Sequence, residues 1–440
     1  MRRGLAFAAA GLLGAATVIG APVGLGVCVA LVAVLAAGKV GAGRPPHPLF
    51  GALALGLATM AVVRDAGWVV AVDVVAALAA GALALRHTSV WTALRLPQGL
   101  GVAGAALRTM LPERRPGALG PVLRGTALAV VLVATFGGLF ASADGAFAEL
   151  AGDTLPAQLD AGDLTLRALV GLLALAVAGA LALPVAPSGA PVEPRWRLGR
   201  AEWQIPLVAL DLLFAAFVAV QFAVLFGGER HVLETAGLGY GEYARHGFVE
   251  LLVVAALTLG VIGLSARRAI GDPRLLRLLL GVLIALTGVV LASAVRRLEL
   301  VEEAYGFTNV RFAGHAIVLW LAAVFALVAA SGLSAAVARR ARTIAAAGTL
   351  AFVLGVSLLN PEGWVARENV ERHARTGKLD EYYASKLSAD AVPALARLPR
   401  GDACRVIGQL QAPRLERPDG VLGANRARAR ARRAVDDLAC

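Results

Sequence analysis

The chain has 440 residues, of which 58% are hydrophobic and only 16% charged, with a mean hydropathy of +0.72 and a formal net charge of +12. Soluble domains carry nearer ~25% charged residues, so this composition excludes an ordinary soluble domain and points to an all-α, polytopic membrane protein. The positive charge sits in short segments between apolar runs, where its first role is topology, so nucleic acid is not an expected partner.

Met1-Arg2-Arg3 followed by an apolar stretch has the look of a signal sequence, but the hydrophobicity resumes after Pro22 and runs to Ala37. The periodicity and length of the apolar runs predict two short spans at 5–20 and 23–38, joined by a turn at Gly20-Ala21-Pro22. Further spans are predicted at 47–63, 67–85, 122–142, 164–184, 204–226, 246–265, 276–295, 312–336 and 343–359. That makes about 11 transmembrane helices, within a range of 9–12, each near the ~20 residues that a bilayer core requires. Residues 1–119 hold the N-terminal spans and a basic cytoplasmic segment at 86–121, and 120–359 form the transmembrane core.

Alternate inter-span segments differ sharply in Arg and Lys: 18 on one side against 6 on the other. The positive-inside rule therefore predicts a cytoplasmic N-terminus and, with an odd span count, an extracytoplasmic C-terminal tail. Only Lys39, Lys378 and Lys386 among the 42 basic residues are lysines, and Ala and Gly abound, the signature of a GC-rich genome and a bacterial plasma membrane. Cys28 lies in an apolar run, whereas Cys404 and Cys440 can pair if the tail is outside. The acidic outer segment 143–163 lacks the spacing of a calcium loop, and no cofactor or metal site is expected.

The most polar interruption of the core is Arg296 to Arg311, read RRLELVEEAYGFTNVR, which predicts a loop or surface helix between two spans. Glu299, Glu302 and Glu303 fall three or four apart, Tyr305-Gly306 ends the helix, and Arg311 restarts the next. Beyond the last span, Asn360 can cap a helix with Pro361 in its first position and Gly377 at its end. Two more helical stretches, at Asp380 to Leu387 and from Ser388 to Leu398, complete a small C-terminal appendage over 360–400. Residues 401–440, with NRARARARR at 425–433, have the composition of a basic, disordered tail for acidic lipid or polymer.

Ionisable residues inside spans are costly, so Asp211 and Asp73 are candidates for function, with Gln221 some ~80° around the helix from Asp211. Asp211 suits either a helix-to-helix hydrogen bond or a transport path. No HExxH, Walker A or GxSxG motif occurs, and no catalytic residue is assigned. GLSA at 263–266 and 332–335 is similar to the serine motif of rhomboid proteases, but the last span holds no histidine. Glu250 and His315 are the natural acid or base for a membrane transferase acting on a lipid-linked substrate.

Several phrases occur together: GLFASADGAFAEL at 138–150, FVAVQFAVLFGG at 217–228, GYGEYARHGFVELL at 239–252, EEAYGFTNVRF at 302–312, and NPEGWVARENVER with LDEYYASKLSADAVPAL at 360–395. They resemble the bacterial multi-pass membrane proteins grouped as domain of unknown function 4153/4173, over roughly 120–400. The resemblance implies a complete member, carries no activity with it, and marks Glu242-Tyr243-Ala244-Arg245, Tyr305-Gly306 and Asn369 as parts of the family pattern. On this reading Glu242, Tyr243, Arg245, Glu302, Glu303, Tyr305, Asn309 and Arg311 make an external polar face, with Glu242 paired to Arg245 or His246. The expected protein is a non-enzymatic sensor, scaffold or envelope-assembly factor, with membrane lipids and an envelope protein or polymer as partners. A small-solute or ion-coupled transporter using Asp211 and Gln221 is the alternative, although the two halves show no repeat.

Overall fold

The computed structural model describes residues 9, 12, 13, 16, 17, 22–42, 45–85, 119–152, 197–226, 240–410, 415 and 418–438. Fifteen helices are set out in chain order: α1 Leu25–Ala42, α2 Pro48–Val63, α3 Gly67–Ala84, α4 Leu119–Ala143, α5 Gly145–Gly152, α6 Arg200–Phe226, α7 Tyr240–Arg268, α8 Pro273–Tyr305, α9 Asn309–Leu333, α10 Ala335–Leu358, α11 Pro361–Thr376, α12 Glu381–Ala384, α13 Val392–Leu395, α14 Arg400–Gln409 and α15 Arg426–Leu438. Seven of them are long and apolar enough to cross a membrane, and α1 and α2 are shorter apolar helices. Nine of the expected spans are thus matched by helices. The expected spans at 5–20 and 164–184 lie wholly or largely outside the described residues, as does most of the basic segment 86–121.

The chain packs as two compact units that are not contiguous in sequence. One comprises Met1–Trp91, Gly306–Ala316 and Arg342–Cys440, the other Thr92–Tyr305 and Ile317–Ala341.

In the first unit, α1, α2 and α3 pack around Leu31, Phe50, Leu57, Ala77 and Ala80, with Leu350 of α10 joining them. The appendage has its own core of Ala366, Val392, Leu395, Leu398, Val406, Ile407 and Ala431. Its first helix starts and stops where the capping rules place the boundaries. The Asn360 side chain accepts from the Gly363 N–H at 3.2 Å with Pro361 following, and Gly377 ends α11 at φ 68°. Asp380 caps α12 by accepting from Tyr383 N–H at 2.8 Å.

The expectation of disorder over 401–440 is not met where residues are described, because α14 and α15 are helical and pack into that core. The alternating Arg-Ala composition reads as low complexity, but Ala and Arg are both strong helix formers. Wound at 3.6 residues per turn, the pattern buries Ala427, Arg428 and Ala431 on one side and exposes Arg426, Arg430 and Arg433 on another.

The second unit is built on an aromatic cluster in which Phe140 stacks on Phe217 at 4.0 Å and meets Phe214 edge-on at 4.9 Å, with Phe136 and Phe147 beside them. Leu251, Val254, Leu283 and Ala294 from α7 and α8 close the cluster. α8 is 33 residues long, or about 50 Å at ~1.5 Å per residue, well beyond a ~30 Å hydrocarbon core. The Arg296 stretch is therefore no separate loop: its first ten residues extend α8 out of the apolar zone, and Arg296 bridges Glu299 and Glu303 along the exposed side. Gly306, at φ 81°, ends the run as expected. Residues 240–248 likewise form the first turns of α7.

Replacing Phe140 by Ala removes the ring common to two edge-on contacts and a stack. The expected cost is about 3–5 kcal/mol, read as a lowered unfolding midpoint in detergent. An unchanged midpoint would show that the cluster is not the unit's core.

Candidate functional site

The richest polar constellation lies in the first unit, around the three-residue turn Arg64-Asp65-Ala66 between α2 and α3. The Asp390 carboxylate accepts from the backbone N–H groups of Asp65 at 2.6 Å and Ala66 at 2.9 Å, which are unsatisfied donors at the start of α3. Arg64, itself buried, reaches Asp390 at 3.5 Å and donates to the Ser357 carbonyl at 2.6 Å and the Leu358 carbonyl at 2.7 Å, satisfying the end of α10. Asn425 donates to the Ala61 and Arg64 carbonyls at the end of α2 and accepts from the first N–H groups of α15. Burial pushes the Asp390 carboxyl up, and the long ion pair and the two N–H groups only partly offset it.

Glu362 forms a second node. It accepts from Trp68 Nε1 at 3.1 Å, Asn309 Nδ2 at 3.0 Å and the Ser388 N–H. The phenol of Tyr383 accepts from the Asn309 N–H at 2.6 Å, and burial raises the Tyr383 pKa. Asn369 clamps Phe307 at both ends, accepting from its N–H and donating to its carbonyl, each at 2.9 Å. A Cβ on Gly306 would stand 2.9 Å from Asn369 Oδ1, so the positive φ and the close approach both call for glycine. Phe307 and Phe312 pack on Trp364.

A third node is Arg428, which pairs with Asp65 and with Asp419 and donates to the Val23 carbonyl at 2.8 Å. Cys404 in α14 is disulfide-bonded, and Cys28 is free.

The second unit holds a separate buried network at the end of α4. Arg297 pairs with Asp144 and donates to the Ala143 carbonyl, Gln221 Nε2 donates to Asp144 Oδ2, and Ser293 donates to Gln221 Oε1 at 2.8 Å. Asp144 also caps α5 by accepting from Phe147 N–H. Its carboxylate is thereby committed to protein donors.

Among the expected intramembrane candidates, Asp73 accepts from Ser357 Oγ at 2.7 Å and Gln221 is engaged as above. Asp211 is buried at 8% exposure, and neither carboxylate oxygen has a hydrogen-bond partner among the described residues. Of the expected external face, Glu303 and Tyr305 are exposed, but Glu302 is buried, because it lies on the side of α8 that carries Leu298 and Val301. Asn309 and Arg311 are half-buried, Asn309 in the Glu362 node and Arg311 donating to the Gly306 carbonyl. The side chains of Glu242, Tyr243 and Arg245 lie outside the described residues. Glu250 and His315 are half-buried.

Sequence reasoning missed Arg64, Asp65, Glu362, Asp390, Asn425 and Arg428. One signal was available: Arg64-Asp65 is a charged pair confined to a three-residue gap between two apolar runs.

Helices of this length and composition, joined by buried polar turns and followed by a helical appendage, define a multi-pass α-helical membrane protein. The chain belongs to the family described as Domain of unknown function (DUF4153), whose model matches residues 51–398. That match takes in α3 and most of α2, which the resemblance over 120–400 did not reach. No curated protein and no solved structure matches the chain.

Asp390→Ala leaves Arg64 and two backbone N–H groups without their partner and is expected to cost about 3–5 kcal/mol, releasing the appendage to limited proteolysis. Asp390→Asn is expected to hold the dock. A raised carboxyl pKa in the folded state means stability declines as pH rises from the unfolded value through the folded one, so Asp390→Asn should flatten that decline. If the two substitutions behave alike, the carboxylate's contacts are not what holds the turn. For Asp211→Leu the expectation is a gain of ~1–3 kcal/mol, seen as a higher unfolding midpoint. A lower midpoint would mean that the carboxyl has a stabilising partner.

Proposed function

We propose that the protein is a non-enzymatic plasma-membrane sensor, scaffold or envelope-assembly factor of bacteria, whose appendage forms an extracytoplasmic recognition face. The carrying observation is the division of labour within the appendage. Glu362, Asp390 and Arg428 are buried in fastening it to helix ends, while Arg367, Glu371, Tyr382 and Lys386 are exposed on its surface. Lys386 lies over the Tyr382 ring at 4.9 Å, a cationic and aromatic pair of the kind that anchors polar partners. An extracytoplasmic tail is supported by the arginine asymmetry of the inter-span segments and by the oxidised Cys404, since disulfides persist outside the cytoplasm.

Tyr382→Ala combined with Lys386→Ala is expected to leave protein abundance unchanged and to abolish complementation of a deletion strain. Full complementation would remove this recognition face from consideration. Tyr382→Cys should react with a membrane-impermeant thiol reagent in intact cells, whereas reaction only after lysis would reverse the orientation.

One observation favours transport as a second reading. Asp211 is a buried intramembrane carboxylate without a hydrogen-bond partner among the described residues, the kind of residue that marks ion pathways. Gln221 is a weaker member of such a path because both ends of its amide are occupied. On this reading Asp211→Asn abolishes function at normal abundance, and a fully active variant excludes it.

A further inference from the structure

We infer that residues 418–438 form a binding surface for anionic phospholipid headgroups of the protein's own membrane. That role belongs to this element alone, whichever partner the appendage recognises.

The element is a turn at 418–424 followed by α15. The turn is fixed at the end of a membrane helix: the Leu422 and Ala424 carbonyls accept from the N–H groups of Gly26 at 2.7 Å and Leu25 at 3.1 Å, capping the first turn of α1. The apolar run of α1 starts at Leu25, so the turn stands where hydrocarbon gives way to headgroups. Asn425 ties the start of α15 to the Ala61 and Arg64 carbonyls at the end of α2.

At this level the turn exposes two aliphatic side chains, Val421 at 79% and Leu422 at 36%. The arginines of α15 then divide into two sets. Arg428 and Arg432 turn inward to Asp419. Arg426, Arg430 and Arg433, at i, i+4 and i+7, are exposed along one stripe, and none has an ion-pair or hydrogen-bond partner among the described residues. Asp436 and Asp437 lie one turn further on and form no pair with Arg433.

Aliphatic side chains at the acyl boundary with unpaired arginines beside them are what binds a helix to an anionic lipid surface. Whatever the tilt of α15, seven residues at ~1.5 Å keep Arg433 within ~10 Å of Arg426, about one Debye length, so all three charges act on the same headgroup layer. A guanidinium also donates two parallel N–H bonds to a phosphate, which a solvated lysine does not.

The test uses the full-length protein in zwitterionic detergent, titrated with short-chain phosphatidylglycerol, short-chain phosphatidylcholine or inorganic phosphate, and read as a shift in unfolding midpoint at low and high salt. Phosphatidylglycerol should raise the midpoint, with an effect that fades at high salt, and the other two should not. Arg426→Gln with Arg430→Gln and Arg433→Gln should weaken apparent binding on the order of a hundredfold, and Arg430→Gln alone about fivefold. These side chains are exposed, so unliganded midpoints should match wild type, whereas Arg428→Gln should lower its own. Should the triple variant misfold, the single Arg430→Gln decides. Undiminished binding by that variant overturns the proposal. So does inorganic phosphate acting as strongly as the lipid, which would mean a general anion site, or a soluble polyanion binding in place of phosphatidylglycerol, which would mean a polymer surface.

Discussion

The turn Arg64-Asp65-Ala66 is the fixed point of the first unit, and the constraint behind it is general. Every helix leaves unsatisfied N–H groups at its start and carbonyls at its end, and near a bilayer core water is a poor source of partners. Here the end of α2, the start of α3 and the end of α10 are satisfied by residues more than 290 positions away in sequence, chiefly Asp390 and Asn425, or by Arg64 itself. The appendage is therefore part of the membrane domain's hydrogen-bond closure. A change in the appendage bears directly on the helix ends it caps.

The second unit solves a similar problem differently. Its packing is apolar and aromatic, and a buried ion pair, Arg297 with Asp144, marks the end of α4. Desolvating both charges offsets much of their attraction, so the pair's contribution lies as much in the elements it joins as in net stability. It does so by joining α4, α6 and α8 through one carboxylate, with Gln221 and Ser293 completing the set. A site whose carboxylate and amide are engaged by neighbouring side chains is poorly suited to binding a solute, and that separates Gln221 from Asp211 as a candidate for a path.

Local signals were legible in sequence, and long-range ones were not. Asn360-Pro361 and Gly377 define α11 because caps act within four residues. Gly306 could be read as a helix end, but the second reason for glycine there, the approach of Asn369, depends on tertiary packing. The arginines of 425–433 show the limit most clearly. Their alternation has no meaning at period two, and only winding into α15 assigns Arg428 to a buried pair and Arg430 to the surface. Glu302 departs from the exposed face for a related reason: within one helical turn of Glu299 and Glu303, it faces the packed side of α8.

The boundaries of the family match bear on how the turn is held. Residues 51–398 contain the turn, Asp390, Glu362 and Asn369, so the Glu362 node and all of the first node but Asn425 lie within the matched region. The third does not. Asn425 and Arg428 come from beyond 398, and Val23 and Leu25, which they and their neighbours engage, lie before 51. The two flanking segments thus meet each other and close on the same turn from its far side. Asp65 is the shared residue, its backbone N–H donating to Asp390 and its carboxylate pairing with Arg428. Asp390 and the turn both lie within the matched region, whereas the contacts that α15 makes with that turn come from outside it. The arginine helix thus adds a second set of contacts to a joint that the matched region already makes, and its exposed stripe lies outside the matched residues.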